Sequence, residues 1–307
     1  MTKQRKYQGG RLLAAGLGLL TAVAAFGTAS ADPFPNKPIT FIVPYSPGGG
    51  SDQQARRLQP GLEKALGVKV RIIYKTGGGG AVGFNELWGS KPDGYTISNV
   101  VVPNIVITSK GKDVGFKPGE FSYIGMTASA LGALMVPKNS KYKSLKDFVA
   151  AAKANPGKLT VAGVGSTGAA NYAELAEILG IETAYVPVSG GVGKMMPMLL
   201  GNHVDAGMTA SSHAATLNTI VIAGDAPSES LPGVPNEPKW TYTTTWGVMA
   251  PPGTPADHIA ILNKALLEAT ADPKVRDLVV KNGLTPIRQT PAEAQAFIDA
   301  AVMKFLK

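Results

Sequence analysis

Apolar and polar residues alternate along the chain with two different periods, which predicts strands and helices in turn. Short runs rich in β-branched residues have the length and composition of strands at Ile39–Pro44, Val68–Tyr74 and Thr96–Val102. Between the first two, Gln54–Leu66 carries an apolar stripe at helical spacing. Ser51 is expected to open this helix by a capping box with Gln54, and Pro60 is expected to kink or interrupt it. Strand–helix–strand order predicts parallel strands with helices on the faces of the sheet.

The second half of the chain repeats this alternation. Strands are predicted at Leu159–Val164, Thr183–Val188, Val204–Met208 and Thr219–Ala223, and helices at Asn171–Leu179, Gly193–Leu200, Ala256–Ala271, Lys274–Asn282 and Pro291–Leu306. A chain of 307 residues exceeds the usual size of a single core, so two lobes are expected, joined by crossover strands at Leu131–Pro137 and Thr244–Ala250. The expected fold is α/β, with a mixed sheet flanked by helices in each lobe. Residues 32–130 and 248–307 would form lobe 1, and residues 131–247 lobe 2.

The first 31 residues have the pattern of a secretory signal peptide. Four basic residues up to Arg11 precede an apolar stretch, Leu12–Phe26, and the small residues Ala29–Ala31 form a cleavage pattern. A membrane anchor that is not cleaved is the alternative, but the apolar stretch is short and is broken by two glycines. We therefore predict export to the periplasm with cleavage near Ala31.

Charge and cysteine content narrow the function classes. Removing the predicted signal peptide takes away 4 of the 30 Lys and Arg and lowers the formal net charge from +9 to +5. The remaining basic residues form no stripe with interleaved aromatics, which argues against nucleic-acid binding, whereas a moderate positive bias suits an anionic ligand. Because the chain has no cysteine, it has no disulfide framework, thiolate nucleophile or cysteine-based metal site.

Two glycine-rich loops each stand between a strand and a helix. The first lies within Phe41–Asp52, FIVPYSPGGGSD, and the second within Ile72–Gly83, IIYKTGGGGAVG. A single loop of this kind is explained by the freedom of glycine in tight turns. Two of them at adjacent strand ends can direct many backbone N–H groups at one anion. Neither has the Gly-Lys-Ser/Thr of a P-loop, and the pair predicts a cradle for one small anion.

Residues that form catalytic or metal sites are scarce in this chain. Neither zinc-site spacing nor the partners of a Ser-His-Asp triad accompany the three histidines, to which we assign structural or surface roles: His203, His213 and His258. Gly165–Gly168 lacks the G-x-S-x-G pattern of a nucleophile elbow. We predict no catalytic residue, no metal and no cofactor. A secreted hydrolase with Ser166 or Ser211 as nucleophile is the alternative from another functional class.

Small polar residues and glycines follow the predicted strand ends in both halves of the chain. Tyr45–Ser46 and Asn104 do so in the first half, and Gly165–Thr167 and Thr209 in the second. In open α/β sheets, ligands lie in the crevice at the carboxyl ends of strands. Any one of these residues could instead cap a helix. Their recurrence in both halves favours a binding site in which backbone amides and hydroxyls hold a carboxylate without an arginine.

The chain resembles the substrate-binding proteins of tripartite tricarboxylate transporters, the Bug-type family, over essentially all of residues 36–305. The resemblance rests on the order and spacing of Pro38–Asp52, Gly77–Gly83, Pro92–Thr96, Ala154–Leu159, Gly201–Asp205, Leu231–Pro235, Ala250–Pro255 and Asp272–Val275. It implies a two-lobed periplasmic binding protein of a type II-like fold that closes on a small carboxylated molecule. In that family the two glycine loops of the first lobe grip one carboxylate, partly through bridging waters, and the second lobe reads the distal part.

The resemblance and the strand-end pattern together give a set of predicted substrate-binding residues. These are Tyr45, Ser46, Gly49, Gly50, Asp52, Gly78, Gly79, Gly80, Ala81, Asn104, Ser129, Gly165, Ser166, Thr167, Asn171, Val188, Ser189 and Thr209. Tyr45 is expected to pack on the body of the ligand. Ser166, Thr167, Asn171 and Ser189 are expected to form hydrogen bonds with its distal group.

Departures from the family pattern concentrate in the second lobe. Where the family has V-P-Y-K-G, Val188 and Ser189 replace the Tyr and the Lys, and Thr209 stands where an Asp is common. Without that Asp an ammonium group would be buried unpaired, which argues against an amino-acid ligand, and Val188 favours a less polar ligand. The segment His213–Leu217 is also shorter than the helix of the family there, and the chain is expected to stop early at Lys307.

We therefore expect a periplasmic solute-binding receptor for a small carboxylate, either a di- or a monocarboxylate, with an aromatic dicarboxylate of the terephthalate type as the narrow favourite. The resemblance implies that it delivers this ligand to the membrane subunits of a tripartite tricarboxylate-type transporter. We expect a monomer without nucleic-acid partners. A ligand-sensing adaptor of the same fold, which presents its ligand to a membrane sensor kinase, stays open because the sequence does not separate it from a transport receptor.

Overall fold

The computed structural model describes residues 33–111, 113–228 and 230–306, so the predicted signal peptide lies outside the described residues. The strands are β1 (Ile39–Val43), β2 (Val70–Tyr74), β3 (Thr96–Val102), β4 (Ser122–Val136), β5 (Thr160–Val164), β6 (Ala184–Val188), β7 (Ala206–Ala210), β8 (Asn218–Ala223), β9 (Asn236–Glu237), β10 (Thr243–Ala250) and β11 (Thr285–Pro286). The α-helices are α1 (Gly50–Leu66), α2 (Ala81–Trp88), α3 (Asn104–Ser109), α4 (Leu145–Ala154), α5 (Gly165–Leu179), α6 (Val192–Leu200), α7 (Ala256–Ala271), α8 (Pro273–Lys281) and α9 (Pro291–Leu306).

Each lobe is built on a mixed sheet. In lobe 1 the strand order is β2-β1-β3-β10-β4, with β1 parallel to β2 and β3, and with β10 antiparallel to both of its neighbours. In lobe 2 the order is β4-β7-β5-β6, with β5 parallel to β6 and β7, and with β8 and β9 joined to β4. Strands joined through helices are parallel, and the strands that pass between the lobes are antiparallel. The predicted α/β class with mixed sheets is confirmed.

The long strand β4 connects the two sheets. Its first part, up to Leu131, pairs with β10, and from Gly132 onward it pairs with β7 and β8. The predicted crossover Leu131–Pro137 is therefore the second part of a strand of 15 residues, and the sequence analysis missed its first part. The second predicted crossover, Thr244–Ala250, corresponds to β10. The lobe limits at residues 130 and 247 stay a prediction.

Apolar residues bury both faces of each sheet. In lobe 1, one apolar cluster, around Phe41, packs beneath α1 and α7. The second cluster, around Phe84, packs beneath α2 and α9. In lobe 2, one cluster contains Phe148 and Trp240 and the other contains Met195. Sheets covered on both faces read as continuous apolar runs, which explains why the strands were visible in the sequence.

The start of α1 differs from the prediction in a way that matters for the site. The helix begins at Gly50 with Gly49 as its N-cap, and no side chain caps it, so the predicted capping box of Ser51 with Gln54 is wrong. Pro60 lies inside the continuous helix, so the expected interruption is absent. The first-turn N–H groups of α1 are consequently left without a side-chain partner, as occurs where a helix start is used to bind an anion.

Within the described ranges of the chain, no helix is long and apolar enough to cross a membrane.

Candidate functional site

A cavity lies at the carboxyl ends of the parallel strands, with residues of both sheets in its walls. From the predicted set, the structure places seven residues in these walls: Tyr45, Gly49, Gly50, Asn104, Thr167, Asn171 and Thr209. The strand-end position is where open α/β sheets bind ligands. It is therefore the candidate site, although the roles of individual residues in binding stay predictions.

Among the helices that begin at this cavity are α1, α5 and α6. Gly49 and Gly50 belong to the start of α1, Thr167 lies in the first turn of α5, and Gly191 and Val192 belong to the start of α6. Among the described side chains, none caps the start of α1, α5 or α6. Each therefore keeps free backbone N–H groups and the positive end of a helix dipole, the arrangement that binds anions.

The first glycine loop of lobe 1 contacts the start of α6 in lobe 2 directly. The Ser46 N–H donates a hydrogen bond of 2.8 Å to the Gly190 carbonyl oxygen. A Cβ atom at Gly193 would overlap the Pro47 carbonyl oxygen, so only glycine permits this approach. The starts of α1 and α6 thus form one end of the cavity, and the contact holds the lobes together there.

The remaining walls are apolar or carry neutral polar groups. Aromatic rings come from Tyr45, Tyr242 and Trp246. Burial raises the pKa of Tyr45 above its ordinary range and that of Tyr242 to about 12, so both phenols are neutral at physiological pH. Of the described residues that line the cavity, none is Lys, Arg, Asp or Glu. A bound anion would have to be held by backbone N–H groups and neutral side chains.

The end of β7 and the turn after it supply the polar groups at another part of the wall. Thr209, Ser212 and His213 line the cavity and are only 8, 4 and 4% exposed. Burial lowers the pKa of His213 to about 4, so its imidazole is neutral at pH 7. His213, to which the sequence analysis gave a structural or surface role, is therefore placed at the cavity.

Asn171 lines the cavity in a fixed orientation. Its side-chain oxygen accepts a 2.7 Å hydrogen bond from Trp240 Nε1. Because the indole N–H can only donate, the bonded atom of Asn171 is the oxygen, and the NH₂ group is its remaining polar group. Asn171 can therefore act at this wall as a hydrogen-bond donor.

Asp52 is not in the cavity wall. Its Oδ1 accepts hydrogen bonds from Arg56 Nε at 2.8 Å and from the Tyr74 hydroxyl at 2.7 Å, and its Oδ2 accepts one from the Gly48 N–H at 2.8 Å. These bonds tie the first glycine loop to α1 and β2. Because its carboxylate is already bound by cationic, hydroxyl and amide donors, Asp52 has a structural role here, and its predicted ligand contact stays a prediction.

The second glycine loop also lies outside the wall, so the ligand contacts predicted for Gly78, Gly79, Gly80 and Ala81 stay predictions. Residues Gly78–Gly80 form a 3₁₀ turn before α2. A Cβ at Gly80, whose φ is +104°, would lie 2.8 Å from the Phe84 ring and 2.9 Å from the Tyr45 hydroxyl. The loop therefore packs behind Tyr45 and supports that side chain instead of lining the cavity.

The other predicted residues outside the wall have separate positions. Val188 is buried in the lobe 2 core with Met195, so it does not add apolar lining as expected, and Ser189 is exposed. Ser129 is paired within the sheet of lobe 1. Ser46 contributes its backbone to the contact between the lobes and Gly165 opens α5, and neither is among the described lining residues. The side chain of Ser166 lies outside the described part of the structure, so its predicted ligand contact stays a prediction.

Ser211, the second candidate nucleophile, has a structural role. Its hydroxyl donates a 2.7 Å hydrogen bond to the Gly283 carbonyl oxygen and is buried. A hydroxyl already engaged with a buried carbonyl is poorly suited to attack a substrate. Ser212, beside it, is the residue that reaches the cavity.

The sequence analysis missed several lining residues, above all Ser212, His213, Tyr242 and Trp246. Ser212 and His213 follow the end of β7, so the strand-end rule could have found them. Tyr242 immediately precedes β10, and Trp246 lies within it. Strand β10 is antiparallel to β3, so it is its beginning, and not its carboxyl end, that lies at the site. No local pattern in the sequence marks such residues.

A family model described as the tripartite tricarboxylate transporter family receptor matches residues 54–306. A Cupriavidus necator protein, "UPF0065 protein in gbd 5′ region", is 30% identical over 94% of this chain and 93% of its own. BugT of Bordetella pertussis is 29% identical over 96% of this chain and 95% of its own. A solved structure described as a periplasmic transporter is 26% identical, with a TM-score of 0.83 over 89% of this chain and 96% of its own.

Two further solved structures share the fold and contain ligands. MatC of Rhodopseudomonas palustris with bound malate has a TM-score of 0.79 at 23% identity, over 89% of this chain and 98% of its own. A second R. palustris protein, with adipate, has a TM-score of 0.81 at 22% identity, over 89% of this chain and 96% of its own. At these identities the likeness concerns the fold alone. Because the family model matches most of its length, the chain belongs to the tripartite tricarboxylate transporter receptor family.

Proposed function

We propose that this protein is a periplasmic solute-binding receptor that captures a small organic carboxylate. The observation that carries the proposal is the meeting of the uncapped starts of α1, α5 and α6 at a cavity whose described lining residues include no cationic side chain. Backbone N–H groups and helix dipoles can bind a carboxylate there. Without an opposing Arg or Lys the ligand is not fully neutralised, which suits a receptor that must release it.

The finer proposal is a dicarboxylate with an apolar body, specifically an aromatic one of the terephthalate type. Support comes from the rings of Tyr45, Tyr242 and Trp246 and from apolar side chains such as Val101 and Met208 in the walls. Aromatic rings in a pocket pack well on a flat apolar ligand. The malate and adipate in the two R. palustris proteins, both dicarboxylates, agree with a ligand of this class.

The receptor would deliver its ligand to the membrane subunits of a tripartite tricarboxylate-type transporter. This part of the proposal rests on membership of the receptor family. The proposal includes export with cleavage near Ala31, a monomeric state and no enzymatic activity. The hydrogen bond from Ser211 to the Gly283 carbonyl supports the last point, since it engages the hydroxyl that a hydrolase would need.

A thermal-shift screen against organic acids tests the ligand class. A ligand at 100 times its dissociation constant stabilises the folded state by about 2.7 kcal/mol, which raises the melting temperature by roughly 5–10 °C for a chain of this size. Succinate, adipate, terephthalate and benzoate should be compared with aspartate and glutamate. The uncharged diamide of adipic acid is the matched control for the carboxylate itself.

We expect shifts with diacids, little or none with the two amino acids, and none with the diamide. Calorimetry then gives the dissociation constants of the positive compounds. A shift with the diamide equal to that with adipate, or tight binding of aspartate with none of any diacid, would contradict the proposed ligand class.

A further inference from the structure

The wall formed by Thr209, Ser212 and His213, which we call the β7 wall, contains two buried hydroxyls without a partner. Neither Thr209 Oγ1 nor Ser212 Oγ has a hydrogen-bond partner among the described residues, and both atoms are fully buried. A buried polar group left unpaired is unfavourable, by about 1–3 kcal/mol for each group. Buried polar atoms in native proteins are nearly always satisfied. Two such hydroxyls in one cavity wall therefore point to a polar group that enters from the cavity.

The β7 wall lies at a distance from the contact between α1 and α6. Strand β7 pairs with β5, and β5 pairs with β6, which leads into α6. Neighbouring strands are about 4.8 Å apart, so the ends of β7 and β6 are separated by roughly 10 Å. A ligand with one carboxylate at the starts of α1 and α6 therefore has its other end within reach of the β7 wall.

The chemistry of the β7 wall suits a second carboxylate. The neutral imidazole of His213 offers one N–H donor, and the hydroxyls of Thr209 and Ser212 each offer one O–H donor. A carboxylate has two oxygens with about four lone-pair sites and can accept all three. A methyl group would leave the hydroxyls unpaired. An ammonium group would find no anionic partner, since no Asp or Glu is among the described lining residues.

Building on the proposed function, we infer that Thr209, Ser212 and His213 form the subsite for the second carboxylate of a dicarboxylate ligand. These residues thereby set the preference for dicarboxylates over monocarboxylates of the same body. The starts of α1 and α6 hold the first carboxylate of either class. The selectivity of the receptor thus depends on neutral hydrogen-bond donors and not on a charged side chain.

Matched ligand pairs isolate this subsite. Adipate and hexanoate, or terephthalate and benzoate, differ mainly in the second carboxylate. By calorimetry with the unmodified protein we expect the dicarboxylate of a pair to bind at least roughly tenfold more tightly, as expected for hydrogen bonds to a charged group. Ser212→Ala should weaken dicarboxylate binding roughly tenfold and leave monocarboxylate binding nearly unchanged, so that the affinity ratio collapses.

Ser211→Ala is the matched control, because the neighbouring buried serine is bonded to the Gly283 carbonyl and does not line the cavity. It should keep the affinity ratio, whatever its effect on either affinity alone. The two variants should also differ without ligand: Ser211→Ala loses a hydrogen bond and should melt lower, whereas Ser212→Ala loses an unpaired hydroxyl and should not. If Ser212→Ala fails to fold, Thr209→Val removes a hydroxyl of the same wall at nearly constant volume.

Failure of this inference is distinguishable from failure of the proposed function. Equal affinities within a ligand pair, or an unchanged ratio in a folded Ser212→Ala or Thr209→Val variant, would overturn the subsite and leave carboxylate capture intact. Binding of none of the four acids by the unmodified protein would instead overturn the proposed function, and the subsite with it.

Discussion

The contact between the two lobes makes Gly193 a sensitive position. The residue is the second of α6, and its φ lies outside the left-handed region, so its backbone is compatible with alanine, which has the higher helix propensity. A Cβ there would overlap the Pro47 carbonyl oxygen, whereas real Cβ atoms essentially never approach closer than 3.0 Å. Gly193→Ala should therefore leave lobe 2 folded and hinder only the approach of the two lobes.

The size of the effect follows from the contacts that would be lost. Moving the lobes apart to relieve the overlap lengthens the 2.8 Å hydrogen bond from the Ser46 N–H to the Gly190 carbonyl toward the limit of hydrogen bonding. Loss of that bond and residual overpacking together destabilise the arrangement in which the lobes are in contact by about 2 kcal/mol. If closure accompanies binding, the dissociation constant rises roughly 30-fold.

Calorimetry with the best ligand of the organic-acid screen measures this change, and heat denaturation of the unliganded variant measures its stability. Gly89→Ala is the matched control, because its Cβ would lie at an ordinary 3.6 Å from the Asn85 carbonyl oxygen, at the end of α2. Affinity should fall for Gly193→Ala alone, without loss of unliganded stability. An affinity within twofold of the unmodified protein would show that closure at this contact does not contribute to binding.

Three further outcomes are expected. The free energy of unfolding should fall by about 2 kcal/mol from pH 7 to pH 5, because His213, with a folded-state pKa of about 4, gains a proton on unfolding. His213→Gln should lack this component. The same dependence of unfolding free energy on pH in both proteins would contradict the prediction. Thr209→Asp should weaken dicarboxylate binding at least roughly tenfold by like-charge repulsion, and calorimetry showing no loss would refute this. Saturating ligand should reduce the radius of gyration in small-angle scattering; an unchanged profile with confirmed binding would exclude closure.

The sequence by itself determined the order of the elements and much of their extent. Strand β3 and helices α7 and α9 begin and end at the predicted residues, and the mixed α/β class follows from their order. These properties are local, because periodicity and the residues that start or end a helix act within a few positions of the chain. The same local reasoning put Tyr45, Gly49 and Thr209 at strand ends, where the cavity lies.

The sequence also indicated that a carboxylate site would rely on backbone groups. The three uncapped helix starts agree with that expectation, but only part of the predicted residue set reaches the cavity. A strand end can be recognised from sequence because it is local. Which of two strand-end loops faces the ligand cannot, because it depends on how the loops pack against each other.

The tertiary structure alone decided these contacts. It packed Gly80 behind Tyr45, and it engaged Asp52 with Arg56 and Tyr74. It also brought Trp246 of β10 beside Gly50, where a Cβ on that glycine would lie 2.8 Å from the indole ring. These residues are up to nearly two hundred positions apart, and their proximity depends on the strand order of the sheet. Strand order minimises the free energy of the whole packed core, so no short segment of the sequence contains it.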